Sequence, residues 1–378
     1  MPSSIAKGRI ATGLSRRAFV KSSSLGAAGL AVAAAGVDDA PALADPPHYD
    51  AGAMAAQISA KLFADDGLAR PAPDKPTVSD LARGLDRTLV LGGGGEYYVA
   101  WYCGFFHGLY DQGLDMDALS EIVVGTSAGS YMGSSLTSGH FLRLRSEFKF
   151  FGHFPSLFAK LTPLSSSNAS QQRAVKLSAA AKDGEISTLQ TIGRAALAAD
   201  NRVNGDAVSP RLIWMLTGDS RTDWPVAKIY TSAVDCYTGE RLIVSQTAAR
   251  KHGISLAHGA AASSSLPGVI GPTLLGQRYA MDGAICCNAA HVDVVAGSKR
   301  AIVITITDGI TPPFYTGVPH RHADNIKQVE ATGTKVLWII ANPPTDISLL
   351  DPKQIHPALH SGYERAKTEA PKIKAFWA

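Results

Sequence analysis

The chain has 378 residues, 46% of them hydrophobic and 18% charged, which excludes a disordered chain and allows one large core or two modest ones. Its formal net charge is +4, but residues 1–44 hold five Lys/Arg and two acids, leaving 31 basic against 30 acidic residues downstream. Such balance excludes general nucleic-acid binding, which needs surplus positive charge to neutralise phosphates.

The first element in chain order is a targeting segment. Ser15-Arg16-Arg17-Ala18-Phe19-Val20-Lys21 fills nearly every position of a twin-arginine signal. A weakly apolar stretch from Leu25 to Val37 and the small-residue site Ala42-Leu43-Ala44 follow. Residues 1–44 are therefore expected to be removed on export to the periplasm or beyond. No cysteine follows the cleavage site, so no lipid anchor is expected, and no later stretch reaches the ~18 apolar residues of a membrane span. Cys103, Cys236, Cys286 and Cys287 form no C-x-x-C pair. They read as mostly buried thiols, with a single disulfide left open.

Residues 45–86 read as an entry segment, with an amphipathic helix from Tyr49 to Asp66 and a proline-rich break, PAPDKP, at 71–76. Thr88-Leu89-Val90-Leu91 then predicts a buried parallel strand, Gly92 to Gly95 a loop, and Val99 to Tyr110 a helix. Residues 121–124 predict the next strand, and Ser127 opens the next helix. Strand, loop and helix twice over point to a parallel α/β sheet.

Residues 140–225 break this rhythm. Six of the twelve Phe lie between Phe141 and Phe158, mixed with Arg143, Arg145, Lys149 and Lys160. The segment reads as a helical insertion, either a lipid-facing lid or a packed subdomain; contact with a membrane surface through 141–160 is one expectation. Strands resume at Lys228–Val234 and Arg241–Ser245, joined by DCYTGE as a hairpin-like pair, and again at 300–306 and 335–341. Ile355 to Trp377 reads as a surface helix broken at Pro371.

Three motifs carry chemistry. The glycine loop presents unhindered N–H groups at a helix N-terminus, which suits either a phosphate or the oxyanion of an acyl-transfer intermediate. It spells no dinucleotide fingerprint, because Tyr98 stands where the third glycine belongs, and no G-K phosphate loop. Gly125-Thr126-Ser127-Ala128-Gly129 is a G-x-S-x-G stretch between a β-branched run and a helix, the context of an exposed nucleophilic serine. There the Ala128 N–H is a further oxyanion donor. Asp282-Gly283 ends a short strand from Gln277 to Met281, and its glycine admits another backbone closely. Each motif alone has a bland alternative: a structural turn, a serine N-cap, an Asp-Gly turn.

Together they resemble the patatin-like phospholipase family. VGTSAGS is close to that family's nucleophile stretch, and SAVDCYTGE, AASSSLPGVIGP, the Asn288 and Asp293 spacing, and HSGYERAK resemble further family segments. The resemblance runs from Arg87 to Lys299, with weaker echoes to the C-terminus. It implies a three-layer α/β fold, a central mostly parallel sheet flanked by helices, with a catalytic domain over 87–299, the insertion at 140–225, and 300–378 completing the fold. It implies a Ser–Asp dyad, with Ser127 as nucleophile, Asp282 as base and Gly93, Gly94 and Gly95 as oxyanion donors, acting on a lipid or other ester without cofactor or metal. Gly125, Gly129 and Gly283 support the motifs. The family's Gly-Gly-Gly-x-Arg-Gly is replaced by Gly93-Gly94-Gly95-Glu96-Tyr97-Tyr98, so the loop end is expected to differ, and a phosphate headgroup is less well supported.

Two other readings compete. An α/β-hydrolase triad has the order Ser, acid, His, which Ser127, Asp308 and His320 or His322 satisfy formally. An inactive lipid-binding protein on the same scaffold would explain the altered loop. No His or Cys cluster has ligand spacing for a metal. The sequence leaves the oligomeric state open.

Overall fold

The apolar run RTLVL forms β1 (Arg87–Leu91), which passes through the glycines into α1 (Gly95–Asp111). The helix starts four residues earlier than periodicity predicts, on the fourth glycine of the loop. A short α2 (Met116–Leu119), N-capped by Asp115, leads to β2 (Ile122–Gly125), which turns sharply into α3 (Ala128–Thr137). Among the described residues five helices make the insertion: α4 (Phe141–His153), α5 (Pro155–Leu161), α6 (Ala169–Ala179), α7 (Ile186–Leu197) and α8 (Gly205–Thr217). Then come β3 (Ile229–Asp235), β4 (Arg241–Val244), α9 (Gln246–His252), α10 (Leu256–Ser263), β5 (Thr273–Leu275) and β6 (Arg278–Asp282). β7 (Arg300–Thr305), α11 (His322–Glu330), β8 (Lys335–Ile340) and α12 (Ile355–Trp377) complete the chain. This computed structural model describes residues 66–162, 168–201, 203–217, 223–309 and 316–378; the expected signal segment and nearly all of the expected entry helix lie outside them.

The strands form one sheet in the order β5-β6-β3-β2-β1-β7-β8, with β4 paired to β3 off this row. The pairs β1–β2, β1–β7, β2–β3 and β7–β8 are parallel; β3–β4, β3–β6 and β5–β6 are antiparallel. Central parallel strands are buried on both faces, which is why their sequences are unbroken apolar runs. On one face Val90 and Val124 pack with Val294, Val295 and Ile326. On the other, Val123 and Leu91 lie against Gly133 of α3. Helices thus cover both faces of a mostly parallel sheet, the α/β architecture expected.

Two expectations need correction. α12 is not broken at Pro371 but runs continuously through it. A proline inside a helix removes one N–H donor; here Ala366, Ala370, Ile373 and Trp377, buried on either side of it, hold the helix in place. Nor is α12 a mere surface element. It crosses α1 where Gly104, Gly108 and Gly362 stand, and a Cβ on Gly104 would run into the Leu359 carbonyl. The insertion, too, mixes both of its readings: Phe148, Phe151 and Phe158 are buried, whereas Leu142, Phe150 and Phe154 are exposed. No described helix is long and apolar enough to cross a membrane.

Asp66, which precedes β1, helps to fasten the antiparallel end of the sheet. Arg278 on β6 is wholly buried and meets Asp66 (2.5 Å), Asp235 at the end of β3 (3.0 Å) and Glu240 (2.8 Å). Three acids around one guanidinium satisfy its fork of donors and fix the strand that delivers Asp282.

Candidate active site

The turn between β2 and α3 is strained in a specific way. Ser127 has φ 49° and ψ −119°, a backbone conformation that L residues with a Cβ rarely adopt. Several contacts impose it. The Ser127 N–H donates to Ser263 Oγ (2.8 Å), and the Ser127 carbonyl accepts from the Ser130 N–H (2.8 Å) and the Ser130 hydroxyl (2.6 Å). Thr126 donates its N–H to the Leu91 carbonyl (2.9 Å). The flanking glycines are required by approach rather than by torsion. A Cβ on Gly125 would lie 2.6 Å from the Gly129 carbonyl, and one on Gly129 would collide with the Leu91 carbonyl.

The strain lifts the Ser127 hydroxyl toward β6. Its Oγ donates to Asp282 Oδ2 at 2.9 Å. The other carboxylate oxygen, Oδ1, accepts the Ala284 N–H at 2.8 Å, so the Asp-Gly turn orients the carboxyl. Gly283 is needed there because Ser232 of β3 occupies the space of a Cβ. Burial pushes the Asp282 carboxyl up to about 7, against the two hydrogen bonds that favour its charged form. A carboxylate so placed can accept a proton near neutrality, which an ordinary aspartate does poorly.

The glycine loop closes the third side. Gly92 donates to the Ile304 carbonyl, whereas the N–H groups of Gly93, Gly94 and Ala128 find no acceptor among the described residues. A Cβ on Gly93 would lie 2.9 Å from the Ser127 Cβ. Unpaired amides on a loop that touches the serine turn can hold a developing oxyanion. Gly95 takes the positive φ, 65°, while Tyr98 sits inside α1, fully buried and packed on Tyr102 at 4.1 Å between ring centres. The left-handed residue of the loop is thus Gly95, and Tyr98 needs no positive φ.

Ser127, Asp282 and the loop open onto a cavity of about 270 Å³, walled by apolar side chains that include Phe148, Phe158, Met215, Leu266 and Ile270. Such lining suits an acyl chain. His320 and His322 also line it, but neither hydrogen-bonds Ser127; His320 Nε2 lies 3.0 Å from the Ala284 carbonyl. Burial pushes His320 down to about 4 and His322 to about 3. The geometry thus does not assemble the Ser127–Asp308–histidine order.

Other motif residues act at a distance. Arg241 grips Asp293 with two bonds (2.6 and 2.8 Å), and Asn288 Nδ2 joins Asp293 Oδ1 at 2.5 Å, bracing the segment after Asp282. Burial works against the Asp293 charge, yet Arg241 holds its carboxyl below the usual range. Ser263, which fixes the Ser127 amide, lies in the AASSS stretch, but sequence reading gave it no role. Glu96 was likewise passed over, though it lines the cavity. All four cysteines are free, Cys287 alone being partly exposed. Among the described residues no group of three or more His, Cys, Asp or Glu is placed to hold a metal ion.

The comparisons with known proteins can be set beside this geometry. A family model described as patatin-like phospholipase matches residues 89–294, more than half of the chain. No curated protein matches it. Among solved structures, VipD from Legionella pneumophila is similar at 12% identity and a TM-score of 0.36, over 82% of this chain and 73% of that one. The type III effector protein ExoU shares 14% identity at a TM-score of 0.28, over 76% of this chain and 54% of its own. The ExoU–SpcU complex from Pseudomonas aeruginosa gives 14% and 0.27, over 79% and 57%. The chain spans about half the length of the ExoU chains. With the match of its own sequence across 89–294, the chain belongs to the patatin-like phospholipase family.

Proposed function

We propose that the protein is a lipid acyl hydrolase that cleaves carboxylic esters through an acyl intermediate on Ser127. The single observation that carries this reading is the 2.9 Å hydrogen bond from Ser127 Oγ to Asp282 at the wall of an apolar cavity. Asp282 takes the serine proton as Oγ attacks the ester carbonyl carbon. The N–H groups of Gly93, Gly94 and Ala128 hold the resulting oxyanion. When the carbonyl re-forms, the C–O bond to the alcohol breaks and Asp282 returns the proton to the leaving oxygen. Water, deprotonated by the same carboxylate, then releases the acyl group as a carboxylic acid and restores Ser127.

The test is labelling by a fluorophosphonate, wild type beside Ser127→Ala, followed by a panel of lipid esters. Labelling that is lost in the variant, with ester turnover lost alongside it, supports the reading. A folded wild type that neither labels nor turns over an ester refutes it and moves a lipid-binding role to the front.

Export by the twin-arginine route is part of the proposal and is supported by Ser15-Arg16-Arg17-Ala18-Phe19 and Ala42-Leu43-Ala44. Retention of an Arg16→Lys, Arg17→Lys double variant in the cytoplasm is the expected result; unchanged fractionation overturns it. Contact with a lipid surface is supported by the exposed Phe150 and Phe154, beside Lys149 on α4.

A further inference from the structure

Glu96 is the second residue of α1 and follows the glycine loop directly. An acidic residue in a first helical turn ordinarily stands in water and complements the helix dipole. This one does not. It lines the same cavity as Ser127 and Asp282, and its Oε2 is shut off from solvent with no hydrogen-bond partner. Buried polar atoms are almost always paired, and a carboxyl oxygen left without a partner is costly to keep. Burial pushes it up to about 7, against a hydrogen bond from its own backbone that favours the charged form. The other polar groups nearby are already engaged: the Tyr131 hydroxyl and Ser264 Oγ bond each other at 2.6 Å. Among the described residues lining the cavity there is neither Arg nor Lys, and its two histidines are held neutral.

We infer that Glu96 is the specificity-determining residue of this cavity, accepting a free hydroxyl of an uncharged acyl ester, so that the substrate class is hydroxyl-bearing neutral esters such as partial glycerides. The inference rests on the proposed Ser127 chemistry. The carboxyl accepts the hydroxyl when ionised, and when neutral it still accepts through its carbonyl oxygen and can donate as well. The phosphodiester group of a phospholipid itself offers only acceptors and a negative charge. It would meet two carboxyls and no cation from the described lining. In this chain Glu96 is followed by Tyr97 and Tyr98, so no cation flanks it in sequence.

The experiment compares a 1-monoacylglycerol, the same ester with both hydroxyls capped as methyl ethers, and a lysophosphatidylcholine of equal chain length, all in mixed micelles. Wild type is expected to favour the free-hydroxyl ester over the capped one by about tenfold or more in kcat/KM, because capping leaves the buried acceptor unpaired. The lysophospholipid, which keeps one free hydroxyl but adds a charged phosphodiester, should fall below the free-hydroxyl monoacylglycerol. In Glu96→Leu the ratio between free and capped esters should collapse toward one. In Glu96→Gln, which keeps the shape and one acceptor, it should fall part of the way, and this variant decides the matter if the leucine form does not fold. A wild-type ratio near one, a ratio unchanged in the folded variants, or a preference for the lysophospholipid overturns the inference. Fluorophosphonate labelling of Ser127 in wild type separates the two levels. Labelling with no discrimination removes the role of Glu96 alone; no labelling and no turnover of any ester removes the hydrolase reading and this inference with it.

Discussion

Gly93 and Ser127 approach so closely that a methyl group on the glycine would lie 2.9 Å from the serine Cβ. The loop that offers free amides and the turn that offers the hydroxyl are in contact, and only a bare Cα fits between them. Gly93→Ala is therefore expected to push loop and elbow apart. The loss in kcat should be about 10²–10³-fold, the scale of a lost oxyanion donor, with a stability change of about 1–3 kcal/mol. Ester turnover and the rate of fluorophosphonate labelling, read beside a thermal melt, check it. A variant that turns over at the wild-type rate contradicts the assignment.

The raised Asp282 carboxyl fixes the pH behaviour. Its ordinary value is 3.8 and burial takes it to about 7. The proposed base works only when ionised, so kcat/KM should fall about tenfold per pH unit below about 7. Stability has the opposite sense. The folded state favours the protonated form, so the group's stabilising contribution is complete below about 4 and is lost as pH rises through about 7. Asp282→Asn stays neutral throughout. It is expected to abolish turnover yet to melt above wild type at pH 8, by at most about 4 kcal/mol, with the gap closing toward pH 4. Melts at the two pH values decide it; an asparagine variant less stable at pH 8 than at pH 4, relative to wild type, reverses the sign.

The delivery of Asp282 depends on a buried cation. Arg278 is four residues upstream on β6 and holds Asp66, Asp235 and Glu240. Arg278→Ala strands buried carboxylates and should cost about 3–5 kcal/mol. Arg278→Lys keeps the charge but not the fork, so a smaller loss is expected. Urea denaturation of both variants measures the difference. Equal stability of wild type and the alanine variant would show the network to be ornamental.

Surface contact with lipid, if it runs through α4, uses the aromatics that face out. Phe150 and Phe154 are exposed and their rings touch at 4.8 Å, whereas Phe148 and Phe151 are buried. Replacing Phe150 and Phe154 together by Ser should reduce co-sedimentation with anionic liposomes several-fold while leaving the melting temperature nearly unchanged. Binding that persists at the wild-type level removes this face from consideration.

How much of this was legible beforehand differs by residue. The central strands announced themselves, since a strand buried on both faces has an unbroken apolar run at its heart, and LVL in β1 and AIVI in β7 are such runs. Ser127 and Asp282 were readable through local patterns, a glycine-framed serine and an Asp-Gly turn. Ser263 was not, because its role is a hydrogen bond across 136 residues of sequence. Glu96 was not, because an acidic residue in a first helical turn looks ordinary until the cavity around it is known. The continuity of α12 through Pro371 was hidden for the same reason. Local propensity argues for a break, and only the packing of Ala366, Ala370 and Ile373 overrules it.

The bare crossing of α1 and α12 has a consequence in time. Gly104 and Gly108 leave the ribosome some 250 residues before Gly362, which presses on the Trp101 carbonyl. Through all that interval the helix that anchors the glycine loop has an uncovered stripe and no clamp. Contacts of such long separation close late and are slow to form. The nascent chain therefore carries its serine turn long before it has a seated loop to work with, and the proposed ester chemistry has to wait for the final helix to dock.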